Sequence, residues 1–130
     1  MRLLLDTHIL LWSLADPRRL SEAARDAIEA DENEVLFSAV SIWEIAIKAE
    51  ALRAEFGVDT ATIIGAARES RFDELPITAE HAAAVAALPP HHKDPFDRLL
   101  VSQALTEPAR LLTADKALAA YSNDLVWLVV

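Results

Sequence analysis

Four acidic residues, Asp6, Glu44, Asp97 and Asp115, stand where an alternating fold would carry them to one rim. Carboxylates gathered there would repel each other without a cation. An all-oxygen donor set selects a hard divalent ion, Mg²⁺ or Mn²⁺. Such an ion can activate water, orient a phosphodiester and offset charge on a leaving oxygen. Taken singly, each acid also has a structural explanation. Asp6 could cap a helix beginning near Thr7. Glu44 could face solvent and pair with Lys48 one turn along, which by spacing alone is the stronger reading. Asp97, three residues after the N-cap candidate Asp94, could complete a capping-box-like arrangement near the positive end of a helix. Asp115 could cap a short last helix.

The elements that must position these side chains are legible as apolar runs separated by helical patterns. Leu3-Leu4-Leu5, Val35-Leu36-Phe37-Ser38, Leu75-Pro76-Ile77, Arg110-Leu111-Leu112-Thr113 and Val126-Trp127-Leu128-Val129 read as strands. Helical spacing follows Ser21, with Ala24, Ala27 and Ile28 apolar. It recurs from Ile42 to Leu52, from about Thr60 to Arg71, and from Thr78 to Ala87. Pro89-Pro90 interrupts the pattern, and Asp94-Pro95 restarts it as N-cap and first helical residue, toward Leu105. A short helix spans Lys116 to Tyr121. Alternation of this kind implies right-handed crossovers and a parallel sheet of four or five strands in an α/β/α sandwich. One domain over residues 1–130 is expected. Asp6 and Asp115 then leave the carboxyl edge of the sheet, where open parallel sheets bind ligands. Glu44 follows the second strand, and Asp97 lies in the first turn of the helix opened by Pro95.

Bulk composition narrows the chemistry. The chain has 130 residues, 53% of them apolar, with two glycines, which suits a helix-rich globule. It has no cysteine, so disulfides, thiolate zinc sites and cysteine nucleophiles are excluded. The apolar start is interrupted by Asp6 and His8 and lacks a small-residue cleavage site, and no run reaches the ~18 apolar residues of a membrane helix. A soluble, cytoplasmic protein is expected. The net charge of −9 runs against the basic face usual in nucleic-acid binders. A basic rim of Arg18, Arg19, Lys48, Arg53, Lys93, Arg98, Arg110 and Lys116 could offset it locally.

The flanking residues carry more than the acids alone. Leu-Leu-Asp6-Thr7-His8, Ser41-Ile-Trp43-Glu44-Ile-Ala-Ile-Lys48, His92-Lys-Asp94-Pro-Phe-Asp97-Arg98-Leu-Leu-Val-Ser-Gln103-Ala and Leu-Leu-Thr113-Ala-Asp115 occur in this order. Together they resemble the PIN-domain family, in particular the VapC-type toxins of bacterial toxin–antitoxin pairs, over essentially the whole chain. The resemblance implies a metal-dependent endoribonuclease that leaves a 5′-phosphate and a 3′-hydroxyl, forms a homodimer and is silenced by a small antitoxin. Asp6, Glu44 and Asp97 match the family's acids, and Asp115 matches a less constant fourth. Thr7 and Thr113 match hydroxyl positions that support the site. Asp94 is read as a cap or supporting residue.

Other residues carry weaker expectations. His8 could touch substrate or pack locally. His91 and His92 lie on a proline-bounded loop without the further nitrogen ligands a zinc site needs. Trp12, Trp43 and Trp127 are expected in the core or on a dimer face rather than as base-stacking platforms. Lys48 and Arg98 could each contact phosphate or tether a carboxylate. Phosphoryl transfer through an aspartyl intermediate is disfavoured because His8 stands where such phosphatases carry a second Asp. Two alternatives remain: a PIN-fold RNA-processing nuclease outside a toxin–antitoxin pair, and a non-catalytic partner-binding module.

Overall fold

Five short runs, most of them apolar, pair into one all-parallel sheet: β1 (Arg2–Leu5), β2 (Glu34–Ser38), β3 (Asp73–Leu75), β4 (Arg110–Thr113) and β5 (Val126–Leu128). The structure is a computed structural model, and it describes residues 1–121 and 125–128. The spatial order is β3-β2-β1-β4-β5. The chain thus winds outward from β1 to β3, then returns to the other side of β1 as β4. The topological switch lies between β1 and β4, with Leu5 in register with both Phe37 and Leu112. Strands buried on both faces need continuous apolar side chains, and Leu3, Leu4, Leu5, Leu111 and Leu112 are fully buried.

Among the described residues, seven α-helices cover the two faces: α1 (Thr7–Ala15), α2 (Glu22–Glu29), α3 (Ala39–Ile47), α4 (Ala49–Phe56), α5 (Thr60–Glu69), α6 (Ala79–Ala84) and α7 (Pro95–Thr106). Alternate residues of β1 feed different layers. Leu3 and Leu5 join a cluster with Ile9, Phe37, Ile45 and Ile63, whereas Leu4 joins Leu36, Phe96, Leu100 and Leu111. Short polar side chains start all of these but α4. Asp6, Ser21, Ser38, Asp59, Thr78 and Asp94 each accept a backbone N–H of the first turn.

The expected α/β/α sandwich is therefore present, with three local differences. The third strand is Asp73–Leu75 rather than Leu75–Ile77, because Pro76 has no N–H to donate to a ladder. The helical stretch from Ile42 to Leu52 is two helices. Lys48, with φ −97° and ψ 24°, ends α3 and precedes α4. The pattern from Lys116 to Tyr121 is a 3₁₀ turn over Lys116–Ala120. Of the fifth predicted strand, Val129 lies outside the described residues.

Candidate metal centre

Each acid reaches the carboxyl edge of the sheet through a different local device. Asp6 follows β1 and caps α1, accepting the Ile9 N–H at 2.9 Å through Oδ1. Its other oxygen, Oδ2, accepts the Thr113 hydroxyl from the end of β4. The Thr113 oxygen in turn accepts the Asp115 N–H at 3.1 Å, so one threonine ties the two strand ends together. Glu44 projects from the second turn of α3 and is 5% exposed. Thr7 donates to its Oε1 at 2.6 Å, and the Lys48 ammonium lies 2.7 Å from Oε2. Asp97 enters from the first turn of α7. Asp115 follows β4, and its Oδ1 accepts the Ala117 N–H at 2.9 Å.

All four acids line one cavity of about 320 Å³, together with Asp94, Thr7, His8, Trp12 and Lys48. Burial pushes the Asp6 carboxyl up to about 6, against the opposing hydrogen bonds from Thr113 and Ile9. Asp97 is pushed up to about 7, first by burial and then by the negative charges of Asp94, Glu44 and Asp6. The Lys48 ammonium is held above its usual range, chiefly by its hydrogen bond to Glu44. One lysine thus faces five carboxylates. A partly buried, mutually repelling set of oxygen donors is what a hard divalent cation fits, because it offsets the repulsion that otherwise favours protonation.

A PIN domain family model matches residues 3–123. The chain belongs to the PIN domain family. It is 35% identical over 121 residues to Ribonuclease VapC22 of Mycobacterium tuberculosis, an alignment covering 92% of each chain. It also superposes on a chain of the crystal structure of VapBC2 from Rickettsia felis bound to a DNA fragment from their promoter. That match has a TM-score of 0.74 over all of both chains at 16% identity, a likeness of fold.

Within this PIN domain the structural explanations of the acids and their convergence turn out to be compatible. Asp6 caps a helix and still lines the cavity. Glu44 pairs with Lys48 as its spacing suggests, but it is buried rather than solvent-facing. The capping box anticipated at Asp94 and Asp97 is not formed reciprocally. Asp94 Oδ1 accepts from Phe96 N and Asp97 N, while the Asp94 N–H goes to His92 Nδ1 at 3.0 Å. The Asp97 carboxylate is thereby left to face the cavity.

The basic rim is only partly realised. Lys48 lines the cavity, and the Arg19 guanidinium stacks 4.5 Å from the centroid of Trp12, another lining residue. Arg98 instead donates to the carbonyls of Val85, Leu88, Pro89 and His92 and to the Tyr121 hydroxyl. Arg110 stacks on Trp127. Trp43 is 50% exposed rather than core, with its ring edge-on to Phe96. His8 packs edge-on to Trp12 and Phe56 beside the cavity.

His92, weighed from the sequence only as a zinc ligand, sits instead beside two of the acids. Its Nε2 lies 2.8 Å from Asp115 Oδ2 and 3.4 Å from Asp97 Oδ2. Among the described residues, His92, Asp97 and Asp115 form the one group of three with donor atoms within 4.8 Å of one another. A histidine two residues before an Asp-Pro helix start was the available signal, since the N-cap N–H there needs an acceptor.

Proposed function

We propose that this PIN domain, one unit over residues 1–130, is a metal-dependent endoribonuclease of the VapC type, the toxin of a toxin–antitoxin pair. The observation that carries the reading is the cavity where Asp6, Glu44, Asp97 and Asp115 meet, in a chain 35% identical to a ribonuclease over nearly its whole length. Asp6, Glu44 and Asp97, assisted by Asp115, would hold Mg²⁺ or Mn²⁺. When bound, the cation supplies Lewis acidity and charge neutralisation for hydrolysis of an RNA phosphodiester. The chain's own residues prepare the site. Thr7 and Thr113 orient Glu44 and Asp6 with hydroxyl donors, and Asp94 aims α7 so that Asp97 enters the cavity. Among the described residues Lys48 is the one lysine at the cavity wall, placed to shield Glu44 or meet a phosphate oxygen.

No helix among the described residues is long and apolar enough to cross a membrane, and a cytoplasmic location fits the reading. Trp43 and Ile47, four residues apart on α3 and 50% and 59% exposed, offer an apolar face. That face suits the antitoxin or the second copy of a homodimer. Total RNA incubated with the purified protein, with and without EDTA and beside Asp6→Asn, tests the activity. Cleavage that requires the metal and Asp6 is the expected result. Equal cleavage by Asp6→Asn would refute the assignment, and binding without cleavage would favour a non-catalytic module.

A further inference from the structure

The loop between Val85 and Asp94 is held by more polar contacts than a connector needs. Arg98 gathers four of its carbonyls, and Tyr121 accepts the His92 N–H at 2.9 Å while also taking a donor from Arg98. The residue fixed at the end of this scaffold is His92, and both ring nitrogens are engaged. Nδ1 accepts the Asp94 N–H, a donor that cannot be reversed. A neutral imidazole carries one N–H, so with Nδ1 accepting, the hydrogen resides on Nε2. That Nε2–H is donated to Asp115 Oδ2 at 2.8 Å, with Asp97 Oδ2 3.4 Å from the same nitrogen. A nitrogen bearing hydrogen has no lone pair for a metal.

We infer that His92 is a positioning residue: by accepting from Asp94 at the start of α7 and donating Nε2–H to Asp115, it ties the helix that carries Asp97 to Asp115, and it is not a metal ligand. The inference rests on the metal-centre reading above and adds a residue to it. Two carboxylates from different elements, one on α7 and one after β4, have no covalent reason to hold a common geometry. The His92 donor supplies one, and the Ala117 N–H engages the remaining oxygen of Asp115. Asp115 is therefore oriented from both oxygens before any cation arrives, which is how supporting hydrogen bonds tune a metal site.

The tautomer is directly observable. In long-range ¹H–¹⁵N spectra of the native protein, His92 should show the Nε2–H pattern both without metal and in saturating Mg²⁺. A switch to the Nδ1–H pattern on Mg²⁺ addition would mean ligation through Nε2 and would overturn the inference. Two variants give a second readout through Mn²⁺ titration followed by electron paramagnetic resonance, with no RNA present. His92→Ala should weaken Mn²⁺ binding about tenfold, as loss of a supporting hydrogen bond typically does. His92→Gln carries a donor and an acceptor and should restore most of the affinity. Equal losses in both variants, or none in His92→Ala, would refute the positioning role. If the protein binds Mn²⁺ as described yet leaves RNA intact, the ribonuclease reading fails while this inference stands.

Discussion

Replacing Asp6 with Asn should stabilise the metal-free protein at alkaline pH while removing its activity. The Asp6 carboxyl is 6% exposed, and the hydrogen bonds from Thr113 and Ile9 and the nearby His8 only partly offset the cost of its burial. Burial raises it from 3.8 to about 6, so between those values the folded state binds more protons than the unfolded chain. Stability therefore falls as pH rises through that window and is lowest above it. At 1.36 kcal/mol per pH unit, the ionised group costs the fold about 3 kcal/mol at pH 8. Asn keeps an acceptor for the Ile9 N–H but presents an amide to Thr113, which returns about 1 kcal/mol of that gain. The net stabilisation is about 2 kcal/mol at pH 8, or roughly 6–10 °C in Tm for a chain of this size. At pH 5 most native Asp6 is already protonated, and the difference shrinks to about 0.5 kcal/mol. Thermal unfolding of both proteins in EDTA at the two pH values measures it. Adding Mg²⁺ should raise the Tm of the native protein and leave Asp6→Asn nearly unmoved. If Asp6→Asn is destabilised in EDTA as much at pH 8 as at pH 5, the buried carboxylate is not strained and the reasoning fails.

Other expectations follow from the same contacts. Thr113→Val removes the hydroxyl given to Asp6 and strands the Asp115 N–H. It should cost about 1–3 kcal/mol in urea unfolding at pH 8 and less at pH 5, where Asp6 is neutral. Arg98→Ala deletes the donor that gathers the Val85–His92 carbonyls, so amide exchange across that loop should speed up while β1 stays protected. Leu111→Ala empties a fully buried position in the central part of the sheet and should cost about 2–5 kcal/mol. Ile47→Ser, on an exposed face, should change stability by no more than about 0.5 kcal/mol yet weaken antitoxin or self-association, measured by sedimentation.

Much of the fold was legible because its signals are local. Leu3-Leu4-Leu5 and Leu111-Leu112 read as strands since a sheet covered on both faces needs unbroken apolar runs. Asp94-Pro95 announces a helix start by an N-cap oxygen and a preset φ. The break at Lys48 was not legible, because the residues on both sides have good helical propensity and tertiary packing decides the turn. The acids themselves were ambiguous for a related reason. An aspartate that caps a helix and one that would bind a metal look alike in sequence, and Asp6 does the first while lining the acidic cavity.

The sequence by itself determined the alternating α/β class, the caps, the four acids and the motifs that mark a PIN domain, because these depend on residues near one another in the chain. Only the tertiary structure decided that β1 lies beside β4, so that Asp6, Thr113 and Asp115 share one hydrogen-bonded edge across more than a hundred residues. It alone decided that Arg98 serves a loop rather than a phosphate, and that His92 reaches Asp97 and Asp115. Burial completes the difference. The rise of Asp6 and Asp97 comes from water removed and charges brought close by long-range packing, and no pattern of neighbours along the chain encodes it.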